Sequence, residues 1–469
     1  MSDADDVFVG IDLGTQGARA LAVTRDGAVA GRGEAPLRSR RHGERHEQDP
    51  RTWWDAVAAA CRGALREIAA ERIGAAATCA TSGTVLLVDA YGEPLTAALM
   101  YDDARAAAQA RRIGMATSWG LPKLLWLLEH EPAARRPGAR LAHQPDVVAR
   151  ALTGHAVASD ASHALKSGYD PGRGCFVHAD AGAGDLSDLL PAVVAPGTTL
   201  GEVSPGAAAQ TALPAGTPVL AGMTDGCAAQ IAAAALLPGD VNSVLGTTLV
   251  LKGCSRERVD DRARGVYSHR SPDGGEWLPG GASSSGAGVL AAAFPGRDLD
   301  ELGRRAAGHE RTRLLAYPLV SRGERFPFAE PDAEAFMLGT PADDGEHAAA
   351  LMQGVALVER LCVEQFARLG ARTDGELSLT GGATRNRAWC QLRADALGRS
   401  VRLPQRSESA FGMAILAAAA AAGERVAQAA RRMSHTQVVI EPREAMREHL
   451  DEQYALFVEE LERRGWLAR

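Results

Sequence analysis

Asp12 ends an apolar run from Val7 that breaks at Gly14-Thr15-Gln16-Gly17. A second apolar run, Ala18 to Val23, leaves the break, and Asp26-Gly27 turns the chain again before Ala28-Val29-Ala30. The pattern predicts strand, tight turn, strand, turn, strand. Glycines in the first turn let backbone N–H groups approach a phosphate, and Thr15 adds a hydroxyl donor. A carboxylate at that place can hold Mg²⁺ directly or through water. An ordinary hairpin whose Asp caps a turn has the same local pattern. The stretch Asp240 to Lys252 repeats the device: a strand reaches Leu245, Gly246-Thr247-Thr248 turns, and Leu249 to Leu251 leaves as a strand. Two such turns facing each other across a cleft can hold a triphosphate from both sides.

Other segments carry polar groups to the ends of strands. The strand Pro214 to Leu220 runs into Gly222-Met223-Thr224-Asp225-Gly226, after which a helix starts. That places Asp225 at the mouth of a cleft beside a helix N-terminus, where it can equally cap the helix. The buried strand Ala75 to Ala80 opens onto Thr81-Ser82-Gly83-Thr84. Backbone and hydroxyls can meet a sugar in such a loop, although Ser and Gly also make plain turns. In Tyr101-Asp102-Asp103-Ala104-Arg105, Asp103 and Arg105 can bond sugar hydroxyls or each other. Leu377 to Leu379 is a strand entering Gly381-Gly382, with a helix from Asn386. The polar loop Ser159 to Asp170 offers His163 and Lys166 either to a ligand or to solvent. Trp277 to Gly288 is a strand, a glycine-rich turn and a helix start that only partly match a dinucleotide fingerprint.

These turns need a scaffold, and the chain is long enough to supply a large one. Its 469 residues suit two large domains, and alternating strand and helix patterns indicate α/β architecture. Net charge is −7, so no basic field invites nucleic acid. Only three of the 51 basic residues are lysines, Lys123, Lys166 and Lys252. Where Arg has almost displaced Lys, a surviving Lys can mark a need for a compact ammonium, or chance. The seven cysteines form no Cys-x-x-Cys pair, which argues for a reducing compartment and against structural zinc. The N-terminus is acidic and polar before Val7, no signal peptide is expected, and no apolar run is long enough for a bilayer. A soluble, cytoplasmic protein is expected, with no nucleic-acid or membrane partner. Glu47-Gln48-Asp49-Pro50 leads into a helix with Trp53, Trp54, Val57 and Cys61 at helical spacing, the tryptophans read as core. Lys123 lies in the first turn of a helix from Leu121, an unusual place for a cation. The C-terminal stretch is charged and helical, and either caps its domain or joins a partner subunit, which allows a homodimer.

Asp12-Leu-Gly-Thr, Gly246-Thr-Thr and Thr380-Gly-Gly-Ala-Thr-Arg-Asn386 resemble the two phosphate motifs and the adenosine motif of the actin, hexokinase and heat-shock ATPase superfamily. Their order and surroundings, from about residue 7 to about residue 420, resemble the FGGY carbohydrate kinases. The resemblance implies two ribonuclease-H-like α/β domains with an active-site cleft between them. Residues 1–235 would form the sugar-binding domain, and 236–469 the nucleotide-binding domain with its helical tail. ATP and Mg²⁺ are implied. Asp12 would serve the metal, Gly14, Thr15, Gln16, Gly246, Thr247 and Thr248 the phosphates, and Gly381, Gly382 and Asn386 the adenosine. Sugar would meet Asp12, Ser82, Asp103 and Asp225, with Asp225 as the base. Xylulose kinases of this family carry Gln-Met-His in the first loop, and here Ser82 and Gly83 replace Met and His. Four segments together, around residues 81–87, 101–103, 164–169 and 321–326, look most like the D-ribulose kinases. D-ribulose is therefore the expected substrate and D-xylulose the runner-up. A nucleotide-dependent sensor without kinase activity would keep the Gly-Thr turns but would not need Asp225.

Overall fold

The computed structural model describes residues 6–177 and 185–467. The chain divides into two compact units, one of Met1–Ala234, Pro272–Gly274 and Arg406–Ser434, the other of Ala235–Ser271, Gly275–Gln405 and His435–Arg469.

The first unit is built on a six-stranded sheet. Its strands are β1 (Val7–Leu13), β2 (Gly17–Thr24), β3 (Val29–Pro36), β4 (Ile73–Ala80), β5 (Thr199–Glu202) and β6 (Pro218–Leu220), in the order β5-β6-β4-β1-β2-β3. β1, β2 and β3 form an antiparallel meander, while β4 runs parallel to both β1 and β6. All seven residues of β1 are buried, as an apolar central strand covered on both faces requires. In register, Asp12 lies opposite Cys79, and Ala80 bridges Thr224. The ends of β1 and β4 and the turn before Asp225 therefore share one edge of the sheet, where α/β proteins bind ligands. A smaller five-stranded sheet, in the order Arg40–His42, Arg45–Gln48, Ala98–Leu99, Val85–Val88, Arg140–His143, carries the loops of Ser82 and Asp103.

A single cut after residue 235 does not describe the chain, because Arg406–Ser434 belongs to the first unit. The cause is the helix Ser409–Ala422, whose residues from Ala410 to Ala419 are all buried. A helix that is apolar all round needs cover on every side. β1 supplies one side at very close range: a Cβ on Gly10 would lie 1.7 Å from the Ala410 carbonyl oxygen. Only a strand glycine lets the helix backbone come so near.

The second unit repeats the plan. Its strands are β7 (Val241–Leu245), β8 (Leu249–Gly253), β9 (Tyr267–Arg270), β10 (Trp277–Ser283), β11 (Leu377–Thr380), β12 (Val401–Pro404) and β13 (Thr436–Ile440). Their order is β9-β10-β8-β7-β11-β12-β13. Again a hairpin lies beside a strand parallel to its first member, here β11 against β7. The C-terminal helix Glu444–Arg463 caps this unit, burying Tyr454, Phe457 and Leu461 in its core, with Phe457 stacked on Tyr317 at 5.7 Å. No helix among the described residues is long and apolar enough to cross a membrane.

Candidate active site

Asp12 leaves β1 only 8 % exposed. Arg19, its partner across the β1–β2 hairpin, approaches to 3.5 Å. Burial and then the nearby charge of Asp225 push the Asp12 carboxyl up from 3.8 to about 6, against the pull of Arg19. Two carboxylates thus come close in one unit, the second on the first turn of the helix Asp225–Ala232. The Asp225 side chain accepts the Gly226 N–H at 2.7 Å, and its carbonyl accepts the Ser409 hydroxyl at 3.1 Å. The residue preceding the helix is Thr224, so Asp225 is not its N-cap.

The turn after Asp12 closes by a bond from Gly14 N–H to the Gly17 carbonyl at 3.0 Å. It leaves Gln16 exposed and Thr15 half-buried. Gln48 holds this turn by donating to the Thr15 carbonyl at 2.7 Å, and Trp53 donates in turn to Gln48 at 2.7 Å. Trp53 is a core residue, as its spacing indicates, and it also fixes the brace of this Gly-Thr turn.

Ser82 is half-buried, and its hydroxyl has no hydrogen-bond partner. The loop around it is held by cations. Lys123, fully buried, donates to the carbonyls of Gly83 and Tyr101, each at 2.9 Å. Lys166 reaches the Ser82 carbonyl at 3.5 Å. Burial, helped by the Lys166 charge, pulls the Lys123 ammonium down from 10.5 to about 7. Lys123 is therefore an internal tie and not a solvated side chain. Tyr101, 40 % exposed, feels the Asp225 charge and lies on the same side of the unit.

Asp103 corrects the sequence expectation. It is fully buried and its carboxylate is spent: it accepts the His46 N–H at 2.8 Å and holds Arg105 through both Nε and Nη2. Arg105 also pairs with Glu47 at 2.7 Å. The structural ion pair is the outcome here, and a sugar contact by Asp103 is not available. Its neighbour Asp102 is the more open carboxylate, bonded to His46 Nδ1 and to Arg41. Burial raises the Asp102 carboxyl, but those bonds outweigh it and hold it below the usual range. His163 is likewise not a ligand group: it is fully buried against Asp160 and the Ala80 carbonyl.

In the second unit the Gly246-Thr247-Thr248 turn closes through Gly246 N–H to the Thr248 carbonyl at 3.1 Å, with Thr247 exposed. Ala287 and Gly288 donate to the carbonyls of Gly246 and Thr247, and Leu249 donates to Ser285. A Cβ on Gly286 would sit 2.4 Å from the Thr247 carbonyl oxygen. The glycine-rich segment after β10 is thus a backing for the Gly246-Thr247-Thr248 turn rather than a dinucleotide fingerprint. Glu324 is buried and braces that backing. It accepts from the Ser283 hydroxyl, Ser284 N–H and Tyr317 hydroxyl, each at 2.7 Å. Gly381 follows β11 at φ +89° and packs against the Leu245 carbonyl, next to an exposed Gly382. Asn386 stands at the start of the next helix, as the sequence indicates. Its side-chain oxygen accepts the Trp389 N–H at 3.0 Å as the N-cap of the helix Arg387–Leu397, and its amide nitrogen abuts Gly303. That oxygen supports the helix, and its second lone pair is not used by this bond.

Each unit therefore turns its first hairpin at a Gly-Thr turn, and the first unit adds the carboxylates of Asp12 and Asp225. Residues 7–232 match the N-terminal domain of the FGGY family of carbohydrate kinases, and residues 241–421 match its C-terminal domain. The chain belongs to this family of carbohydrate kinases. It is 32 % identical over 454 residues to a xylulose kinase of Streptomyces coelicolor, covering 91 % of this chain and 90 % of that one. It is 30 % identical over 454 residues to a xylulose kinase of Streptomyces rubiginosus, with the same coverage. A xylulose kinase structure from Rhodospirillum rubrum matches with a TM-score of 0.85 at 25 % identity, covering 97 % of this chain and 98 % of the other. The family's C-terminal match runs through the helix Ser409–Ala422, which this carbohydrate kinase packs into its first unit.

Proposed function

We propose that this carbohydrate kinase uses MgATP to phosphorylate a primary hydroxyl of a ketopentose, with Asp225 as the base and D-xylulose as the best-supported sugar. The observation that carries the reading is the Asp12–Asp225 pair, two carboxylates held within electrostatic reach at the ligand edge of one sheet. Asp225 takes the proton of the attacking hydroxyl as that oxygen moves onto the γ-phosphate. Its backbone is fixed by Ser409 and by the helix it opens, so the carboxylate is aimed before the sugar arrives. Phosphoryl transfer rewards such positioning and charge neutralisation more than covalent assistance. The raised Asp12 carboxyl fits a divalent cation, which would relieve the repulsion that raises it. Asp12 would hold Mg²⁺, whose chemistry is to neutralise phosphate charge. Thr15 and Gln16, with Thr247 and Thr248, offer backbone and hydroxyl donors to phosphates, the Gly14 and Gly246 N–H groups closing their turns, and Gly381-Gly382 offers a flat seat for adenosine.

The choice of sugar follows the relatives, both of which are named xylulose kinase. This displaces D-ribulose from first place. D-ribulose stays as the second reading because of one observation, the unpartnered Ser82 hydroxyl in a loop lacking Met and His. The test is ADP release from MgATP with D-xylulose, D-ribulose, L-xylulose and L-ribulose, for the wild type and Asp225→Asn. Dominant stimulation by D-xylulose, lost by about a hundredfold or more in the variant, is the expected result. Dominant D-ribulose would keep the mechanism and overturn the sugar. No stimulation by any sugar would point to a nucleotide-dependent sensor, and normal turnover in Asp225→Asn would remove the base.

A further inference from the structure

The segment Ser159 to His163 buries more polar chemistry than a surface loop needs. Asp160 is 3 % exposed, Ser162 is 3 % exposed and His163 is 0 % exposed. The Asp160 carboxylate accepts four bonds: Ser162 N–H at 2.9 Å, Ser162 hydroxyl at 2.6 Å, His163 N–H at 3.0 Å and His163 Nδ1–H at 2.6 Å. The other ring nitrogen of His163, Nε2, lies 3.2 Å from the Ala80 carbonyl. A carboxylate and a carbonyl are both acceptors, so both ring nitrogens carry hydrogen and His163 is an imidazolium. Burial opposes that charge, and the Asp160 carboxylate outweighs it, so the His163 pKa is raised. The other titratable groups around the ring are Asp146, which also favours the cation, and His143, whose ring centroid is 6.1 Å away.

The cluster ends on the base. The Ser162 hydroxyl gives its hydrogen to Asp160 and accepts the Thr224 N–H at 2.8 Å. Thr224 is the residue before Asp225 and also bridges Ala80, the residue held by His163. One bond from Ser162, itself held by Asp160, and one from His163 thus fix Thr224 and Ala80, the bridged residues beside Asp225. A buried ion pair is a poor way to gain stability, but a satisfied polar network specifies one geometry.

We propose that Asp160, Ser162 and His163 are positioning residues for phosphoryl transfer, setting the direction of Asp225 through the Thr224 N–H and the Ala80 carbonyl. The proposal rests on Asp225 being the base. A bond one residue from the base sets its carboxylate position, and a displacement of about 1 Å can cost up to a hundredfold in rate.

The test compares Ser162→Ala, Ser162→Thr and Asp225→Asn with the wild type in full-length protein, using D-xylulose and D-ribulose each at saturation. Ser162→Ala should lower kcat between about tenfold and a hundredfold while KM for ATP and for the sugar stays within about twofold. Ser162→Thr, which keeps the hydroxyl, should recover most of the rate. A merely structural role would change melting temperature and leave kcat per folded molecule intact. Should Ser162→Ala not accumulate as folded protein, Ser162→Cys takes its place with the same readouts. An alanine variant with kcat within twofold of wild type, beside an inactive Asp225→Asn, overturns this proposal alone. An active Asp225→Asn overturns the base assignment beneath it.

Discussion

Replacing Asp12 by asparagine should stabilise the ligand-free protein at neutral pH while stripping it of most of its turnover. The Asp12 carboxyl is raised from 3.8 to about 6, first by burial and second by the Asp225 charge. A carboxyl raised on folding contributes fully below pH 3.8, where both states are protonated, and that contribution is lost as pH rises through about 6. The loss above that range is about 3 kcal/mol. Asparagine has nearly the same shape and never ionises. The stability difference between the two proteins should therefore be near zero at about pH 4 and approach the full figure at pH 8. As a melting temperature for the first unit, that is a rise of roughly 6 °C. Thermal unfolding at pH 4, 6 and 8, with and without MgATP, measures both halves of the prediction. MgATP should raise the wild-type melting temperature more than the variant's, because binding stabilises the folded state in proportion to affinity. A variant no more stable than wild type at pH 8 would refute a buried charge at Asp12. One equally stabilised at pH 4 would show that packing, not charge, had changed. Undiminished turnover would take Asp12 out of the site.

Gly10→Ala should cost about 3 kcal/mol or more, since its Cβ would lie 1.7 Å from the Ala410 carbonyl; a melting temperature within 2 °C of wild type would show that the Ser409–Ala422 helix tolerates a shift. Asp103→Asn should lower stability by about 3 kcal/mol, because Arg105 loses a buried partner, and should leave the sugar KM unchanged in the folded fraction; a raised KM with normal stability would restore Asp103 as a sugar contact. Lys123, lowered from 10.5 to about 7, contributes stability that is complete above pH 10.5 and is lost as pH falls towards 7. Urea unfolding should therefore show wild-type stability rising by about 1.4 kcal/mol per pH unit across that window from this group, a slope that Lys123→Met abolishes, while the variant's sugar KM rises as the Gly83 carbonyl is released.

What the sequence makes legible is local. Asp12, Gly14, Gly246, Thr247 and Gly381 sit on turns between apolar runs, and such punctuation marks both a fold and its ligand edge. The order of those turns was enough to place the family. What holds the turns is not legible, because it comes from afar. Gln48 braces Thr15 across 33 positions, Glu324 braces Ser283 across 41, and Ser162 braces Thr224 across 62. No spacing rule links such pairs, and each bracing residue reads alone as an ordinary polar loop residue.

Asp102 and Asp103 show a finer limit. The two aspartates lie at a turn closed by Asp103 N–H to the Met100 carbonyl at 3.0 Å, and nothing in Tyr-Asp-Asp-Ala-Arg says which of them faces inward. The structure decides through Arg105, which is itself buried and needs a carboxylate. Asp103 meets that need and leaves Asp102 to His46 and Arg41. The burial of the helix Ser409–Ala422 has, by contrast, a signal in the sequence. A stretch apolar on every face has to be covered all round. Gly10, a glycine inside a buried strand, was the matching half of that signal. Strand glycine and all-apolar helix together specify the chain's return to the first unit. The same helix carries Ser409, whose hydroxyl holds the Asp225 carbonyl. The return of the chain thus helps to place Asp225 as well as to close a core.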